Sequence, residues 1–147
     1  EVELRADAYT PGDYIPDERE RLLEYKRLAD ARSLQELHGL LEELEDRYGH
    51  PPDEVKQFEA LIELKVLCRD MRVRELRMVR GGRLQLSFDP ATPLDPARLM
   101  AWVQSDTRSL SFRPEGVLHV TLDPDDRKLP VPAARQVLEA LRGCLNG

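Results

Sequence analysis

Apolar positions recur at helical spacing through the first half of the chain and alternate through much of the second. Val2 to Tyr9 alternates loosely ahead of Thr10-Pro11-Gly12, which predicts an opening strand. Pro16-Asp17 predicts a helix start, with Glu20 placed to complete a capping box. Leu22, Tyr25, Leu28 and Ala29 follow at helical spacing, and this helix is expected to stop near Asp30. Ser33-Leu34-Gln35-Glu36 is a second capping box, followed by a stripe of Leu34, Leu37, Leu41, Leu44 and Tyr48. Gly49 supplies a helix-ending residue and Pro51-Pro52 prevents continuation. A third helix begins at Pro52 and carries Val55, Phe58, Leu61, Ile62, Leu64, Leu67, Cys68 and Met71. Its wide apolar band predicts the most buried helix.

After Met71 the period changes. Val73 to Val79 and Arg83 to Phe88 flank Gly81-Gly82, a hairpin signal. Asp95-Pro96 opens a short helix with Leu99, Met100, Trp102 and Val103, and Trp102 is expected in the core. Arg108 to Arg113 and Val117 to Leu122 predict a second strand pair around Pro114-Glu115-Gly116. A last helix is expected from about Pro132 to Leu145, with Val137, Leu138, Leu141 and Leu145 inward. Helices first and hairpins later predict an α+β fold: one compact domain over residues 1–147, with an N-terminal strand and helices, then two β-hairpins and a C-terminal helix.

Composition narrows the picture. Apolar residues make up 41% of the 147, enough for a packed core. No run of about 18 uncharged apolar residues exists, so no membrane partner is expected, and there is no signal-peptide pattern. Cys68 and Cys144 read as buried reduced thiols, which fits a cytoplasmic setting. The first residue is Glu rather than Met, so the chain reads as a piece of something longer. With 22 Lys+Arg against 28 Asp+Glu, the net charge of -6 argues against general nucleic-acid binding.

The motifs of common enzymes are missing. There is no phosphate-binding loop, no dinucleotide fingerprint and no nucleophile turn. His38, His50 and His119 lie far apart, and neither cysteine has a partner at zinc spacing, so each histidine reads as a surface or strand residue. Asp123-Pro124-Asp125-Asp126 reads as an Asp/Pro turn, with a divalent-cation site as the alternative. No catalytic, cofactor-binding or metal-ligating set is assigned, and the chain alone does not resemble an enzyme.

Two charged surfaces stand out. Arg69, Arg72, Arg74, Arg77, Arg80 and Arg83 face only Asp70 and Glu75 in their segment. They read either as a solvated edge or as a nucleic-acid contact. On the second helix, the leucine stripe leaves Glu36, Glu43, Asp46 and Arg47 on the wet face. Glu42, Glu43, Glu45 and Asp46 crowd its C-terminal turns, where carboxylates oppose the helix dipole. Glu43 and Arg47 are spaced to pair along the helix. The residues alone leave open whether this face is merely solvated or meets a basic partner.

Several motifs together resemble a known family. Asp13-Tyr14-Ile15-Pro16-Asp17, Arg21-Leu22 and Tyr25-Lys26-Arg27 are similar to the opening of the C-terminal (TRCF) domain of the bacterial transcription-repair coupling factors, the Mfd family. Glu36-Leu37 and Leu41-Glu42-Glu43-Leu44-Glu45-Asp46-Arg47-Tyr48-Gly49-His50-Pro51-Pro52 continue the likeness, with Tyr48 where the family has Phe. Gly81-Gly82, Leu86, Phe88 and Asp95-Pro96-Ala97 extend it more loosely.

The resemblance implies a parent protein that is an ATP-driven double-stranded DNA translocase. It displaces stalled RNA polymerase and recruits UvrA for nucleotide excision repair through an N-terminal UvrB-like module. ATP and Mg would belong to that motor, with no cofactor in this domain. The resemblance further implies that this domain is regulatory, docking on the UvrB-like module and masking its UvrA-binding surface. The family's docking residues fall on Glu43, Asp46 and Arg47.

Overall fold

In the computed structural model, which describes residues 2–3 and 14–146, the elements run β1 (Val2–Glu3), α1 (Glu18–Ala29), α2 (Leu34–Tyr48), α3 (Asp53–Asp70), β2 (Val73–Val79), β3 (Arg83–Phe88), α4 (Pro96–Ser105), β4 (Leu110–Arg113), β5 (Val117–Thr121), α5 (Pro124–Lys128) and α6 (Pro130–Arg142). The fold is α+β. Within its span the chain forms two compact units, Ala6–Val66 and Glu1–Arg5 with Leu67–Gly147. The rest of the span expected as an opening strand, through Tyr9, and Thr10-Pro11-Gly12 lie outside the described residues.

Local chemistry sets the helical unit. The extended Asp17 accepts hydrogen bonds from the amides of Arg19 (2.9 Å) and Glu20 (3.1 Å), satisfying two orphan donors of α1. Glu20, expected to reach back to the cap, instead accepts the Tyr48 hydroxyl at 2.8 Å. Ser33 caps α2 through the Glu36 amide at 3.0 Å, while the Glu36 carboxylate accepts from the Arg32 amide at 3.1 Å. Gly49 ends α2 at φ 84°, a conformation that favours glycine. Its carbonyl accepts the Tyr14 hydroxyl at 2.8 Å.

The core here is Tyr14, Ile15, Tyr25, Leu28, Ala31, Leu37, Leu44, Val55, Ile62 and Val66. Two edge-to-face aromatic pairs support it, Tyr14–Tyr48 and Tyr25–Phe58, with centroids 5.8 and 5.5 Å apart. The α1 stripe is narrower than its spacing suggests. Leu22 is 67% exposed and Ala29 is exposed, while Glu24 is buried. Six residues at about 100° each put Leu22 about 120° from Leu28, so both cannot face one core.

In the second unit the strand order is β1-β2-β3-β5-β4, with β1 parallel to β2 and every other pair antiparallel. Leu76, Leu84, Leu86, Leu118 and Val120 are buried along it. Cross-strand partners Leu76↔Leu86 and Leu86↔Leu118 align these side chains on one face. The β2–β3 hairpin turns through Gly81 and Gly82, both at positive φ. Any Cβ on Gly82 would overlap the Arg127 side chain, whose Nε donates to the Leu122 carbonyl at 2.9 Å. α4 presents Leu99 and Val103, and α6 presents Ala133, Ala134, Val137, Leu138 and Leu141, to the interior.

Three expectations need correction in this unit. Trp102 is only half-buried. It lines a surface cleft of about 290 Å³ with Val120, Ala133 and Val137, because the interior stripe of α4 runs through Leu99 and Val103. Leu145 lies beyond the end of α6 and bridges Leu94 instead of joining the helical stripe. Asp123-Pro124-Asp125-Asp126 begins a five-residue helix, α5, because Pro124 has the φ of a first helical position and Asp123 accepts from the Asp126 amide at 2.8 Å.

Candidate functional site

The α2 stripe decides which side chains face outward. Leu37 and Leu44 are buried and Leu34, Leu41 and Tyr48 partly so, leaving Glu36, Glu43, Asp46 and Arg47 exposed. The three residues singled out in the sequence therefore do face water. The expected pairing of Glu43 with Arg47 along the helix is replaced by bonds across to α1. Arg27 Nη2 donates to Glu43 Oε2 at 3.3 Å, and Arg47 Nη1 donates to Glu24 Oε1 at 3.2 Å.

Glu24 explains the rearrangement. It is nearly buried, and a carboxylate withdrawn from water must be hydrogen-bonded. Arg27 Nη1 lies 3.2 and 3.3 Å from its two oxygens, so Glu24 draws both guanidiniums toward it. The result is a row, Glu43–Arg27–Glu24–Arg47, that contains one acidic and one basic docking candidate. Asp46 has no hydrogen bond or ion pair among the described residues.

Charge along this edge is net negative, because Glu20, Glu24, Glu43 and Asp46 outnumber Arg27 and Arg47. Tyr48 lies at its end, and its hydrogen bond to Glu20 pushes the phenol above its ordinary range. Leu23, 58% exposed, stands three residues after Glu20 and four before Arg27, beside the row. With Leu22, Glu18 and Arg19 it forms a shallow depression. Sequence reasoning missed this apolar margin and the part played by Glu24. The available signal was that Leu22 and Leu23 cannot both join a stripe centred on Tyr25 and Leu28.

Elsewhere the structure distributes the sequence candidates among local roles. In the basic segment, Arg74 Nε donates to Asp89 at 3.2 Å, Arg77 Nε meets Glu75 at 2.8 Å and Arg83 Nε donates to the Arg80 carbonyl at 3.3 Å. The Ala91 amide, together with Arg74 and Arg72, holds the Asp89 carboxyl below its usual range. Arg72 takes φ 53° where α3 gives way to β2. Asp123 is engaged in capping α5. His119 is buried on β5 with Nε2 3.0 Å from Gln85 Oε1, while His50 lies 3.7 Å from Glu45 on the surface. Cys68 and Cys144 are free and buried, and burial pushes the Cys68 thiol up to about 12. No helix among the described residues is long and apolar enough to cross a membrane.

Comparison with known proteins places this geometry in context. The model of the TRCF domain family matches residues 4–99. The transcription-repair-coupling factor of Myxococcus xanthus is 37% identical over 123 residues, 84% of this chain and 10% of that protein. That of Mycobacterium tuberculosis (strain CDC 1551 / Oshkosh) is 36% identical over 98 residues, 67% of this chain and 8% of that protein. That of Escherichia coli (strain K12) is 30% identical over 141 residues, 96% of this chain and 12% of that protein. The chain thus spans about a tenth of the length of these relatives. A crystal structure of the C-terminal domain of transcription-repair coupling factor shares the fold. Its TM-score is 0.70 at 22% identity, covering 97% of this chain and 94% of that one.

Proposed function

The chain belongs to the TRCF domain family, and from that premise we propose that it is the regulatory, protein-interaction domain of a transcription-repair coupling factor, acting within a DNA translocase in nucleotide excision repair. In this reading it docks on the UvrB-like module at the parent's N-terminus and masks the surface that binds UvrA. Glu43, Asp46 and Arg47 make the contact. RNA polymerase and duplex DNA engage other parts of the parent.

One observation carries the reading. The Glu43–Arg27–Glu24–Arg47 row pairs two of the three side chains at the protein surface while Asp46 beside them keeps its hydrogen-bonding capacity for a partner. Side chains already held lose less rotamer entropy when a partner arrives. A cationic surface would offer charge-assisted hydrogen bonds to Glu43 and Asp46, and a carboxylate opposite Arg47 would complete the match. Polar contacts of this kind couple closed and open states by about 1–3 kcal/mol, a range that engagement of polymerase and DNA can overcome.

The test is made in the parent protein. Charge reversal at both Glu43 and Asp46 raises UvrA binding and basal ATPase or DNA binding if the contact holds the closed state. Wild-type levels in all of these readouts would refute it.

A further inference from the structure

We propose that His38, Glu59 and Glu63 form a binding site for a divalent first-row transition ion, with Zn²⁺ as its principal candidate. The site goes beyond the docking reading and does not depend on it. His38 precedes Glu43 by five residues, which turns it about 140° around α2. One edge of α2 bonds to α1 through Glu43 and Arg47, and His38, on another, reaches α3.

His38 Nε2 lies 3.2 Å from Glu63 Oε1. Glu59 is one turn earlier on α3, so the two carboxylates share a helix face. One ligand atom from each of the three residues lies within 4.8 Å of the others. By triangle geometry a single point then lies within about 2.8 Å of all three. Ligation at about 2.0–2.2 Å requires inward movements of under about 1 Å. His38, exposed, and Glu59, half-buried, can supply them by side-chain rotation around the nearly buried Glu63.

The donor set selects the ion class. One imidazole with two carboxylates suits a borderline cation. Mg²⁺ and Ca²⁺ favour oxygen-only shells, and soft ions favour thiolates. Three protein ligands leave a coordination position for water, and the two carboxylates balance the charge of a dipositive ion. Beside them opens a groove of about 390 Å³ lined in part by His38, Glu42, Glu45, His50 and Glu59. It gives a hydrated ion access, and its carboxylates concentrate cations there. Lys56, the lysine on the lining of this groove, stands at His50, 3.4 Å from Nε2. The ligands come from two helices, so no local spacing could announce them. Bound, the ion ties α2 to α3 within the helical unit and stiffens the helix that carries Glu43, Asp46 and Arg47.

The test uses the chelator-treated 147-residue chain. It is titrated with Zn²⁺ by calorimetry and with Co²⁺ by visible absorption, with circular dichroism confirming that each variant is folded. The proposal expects one ion per chain. His38→Ala and Glu59→Gln should each weaken binding at least tenfold and remove the cobalt ligand-field bands, while His119→Gln, on β5 and outside the groove, leaves binding unchanged. Absence of stoichiometric binding, or wild-type affinity in His38→Ala or in Glu59→Gln, overturns it.

Discussion

Glu24 offers a way to disturb the α1–α2 surface without touching a residue proposed to meet the partner. Glu24→Gln keeps the length and helix propensity of the side chain and removes its charge. The carboxylate accepts from Arg27 at 3.2 and 3.3 Å and from Arg47 at 3.2 Å. Its own side chain is 12% exposed, but those of Arg27 and Arg47 are 48% and 57% exposed. Both guanidiniums therefore rehydrate when their partner is lost. Exposed pairs contribute about 0.2–1 kcal/mol each, so the total loss should be about 1 kcal/mol, well short of the 3–5 kcal/mol for a broken buried pair.

A double-mutant cycle of Glu24→Gln with Arg47→Gln, read by urea unfolding, should give a coupling of about 0.5 kcal/mol that shrinks with added salt. The substitution also leaves Arg27 and Arg47 less balanced, so docking on a cationic surface should weaken several-fold. A coupling below about 0.2 kcal/mol together with unchanged docking would show that the row is incidental to the surface.

Two further outcomes probe the sheet unit. Gly82→Ala meets both a φ of 67° and the Arg127 side chain. It should lower stability by about 1–2 kcal/mol in chemical denaturation, and a change within about 0.5 kcal/mol would contradict the hairpin geometry. Burial, then Arg83 and Arg113, lower the pKa of His119 below its ordinary value. The unfolded chain then binds the proton more readily than the folded one. Stability is therefore fully present above about pH 6.5 and is lost as pH falls from there toward the lowered folded value. His119→Gln should flatten that part of a stability–pH profile, and an unchanged slope would remove His119 as its source.

Much of the fold was written in short-range signals. Asp17 and Ser33 cap the helices they were expected to cap, a helix starts at Pro96 where Asp95-Pro96 announced one, and Gly81-Gly82 turns the expected hairpin. These features need only neighbours in sequence, and so periodicity and turn chemistry suffice to find them. The outward placement of Glu43, Asp46 and Arg47 was legible for the same reason, as the complement of a leucine stripe. What the residues did not reveal depends on how helices meet. The burial of Glu24, its capture of Arg47 across 23 positions, and the approach of His38 to Glu63 across 25 all require the tertiary packing of α1, α2 and α3. α5 escaped because Asp-Pro begins a turn and a one-turn helix alike.

The most direct measurement is a binding titration between this chain and the UvrB-like module of the parent, repeated with Glu43→Lys, Asp46→Lys and Arg47→Glu. Saturable binding by the wild-type chain, weakened tenfold or more by each substitution, a change of about 1.4 kcal/mol, is the predicted result. Binding that survives all three changes undiminished, or no binding by the folded wild-type chain, would contradict it.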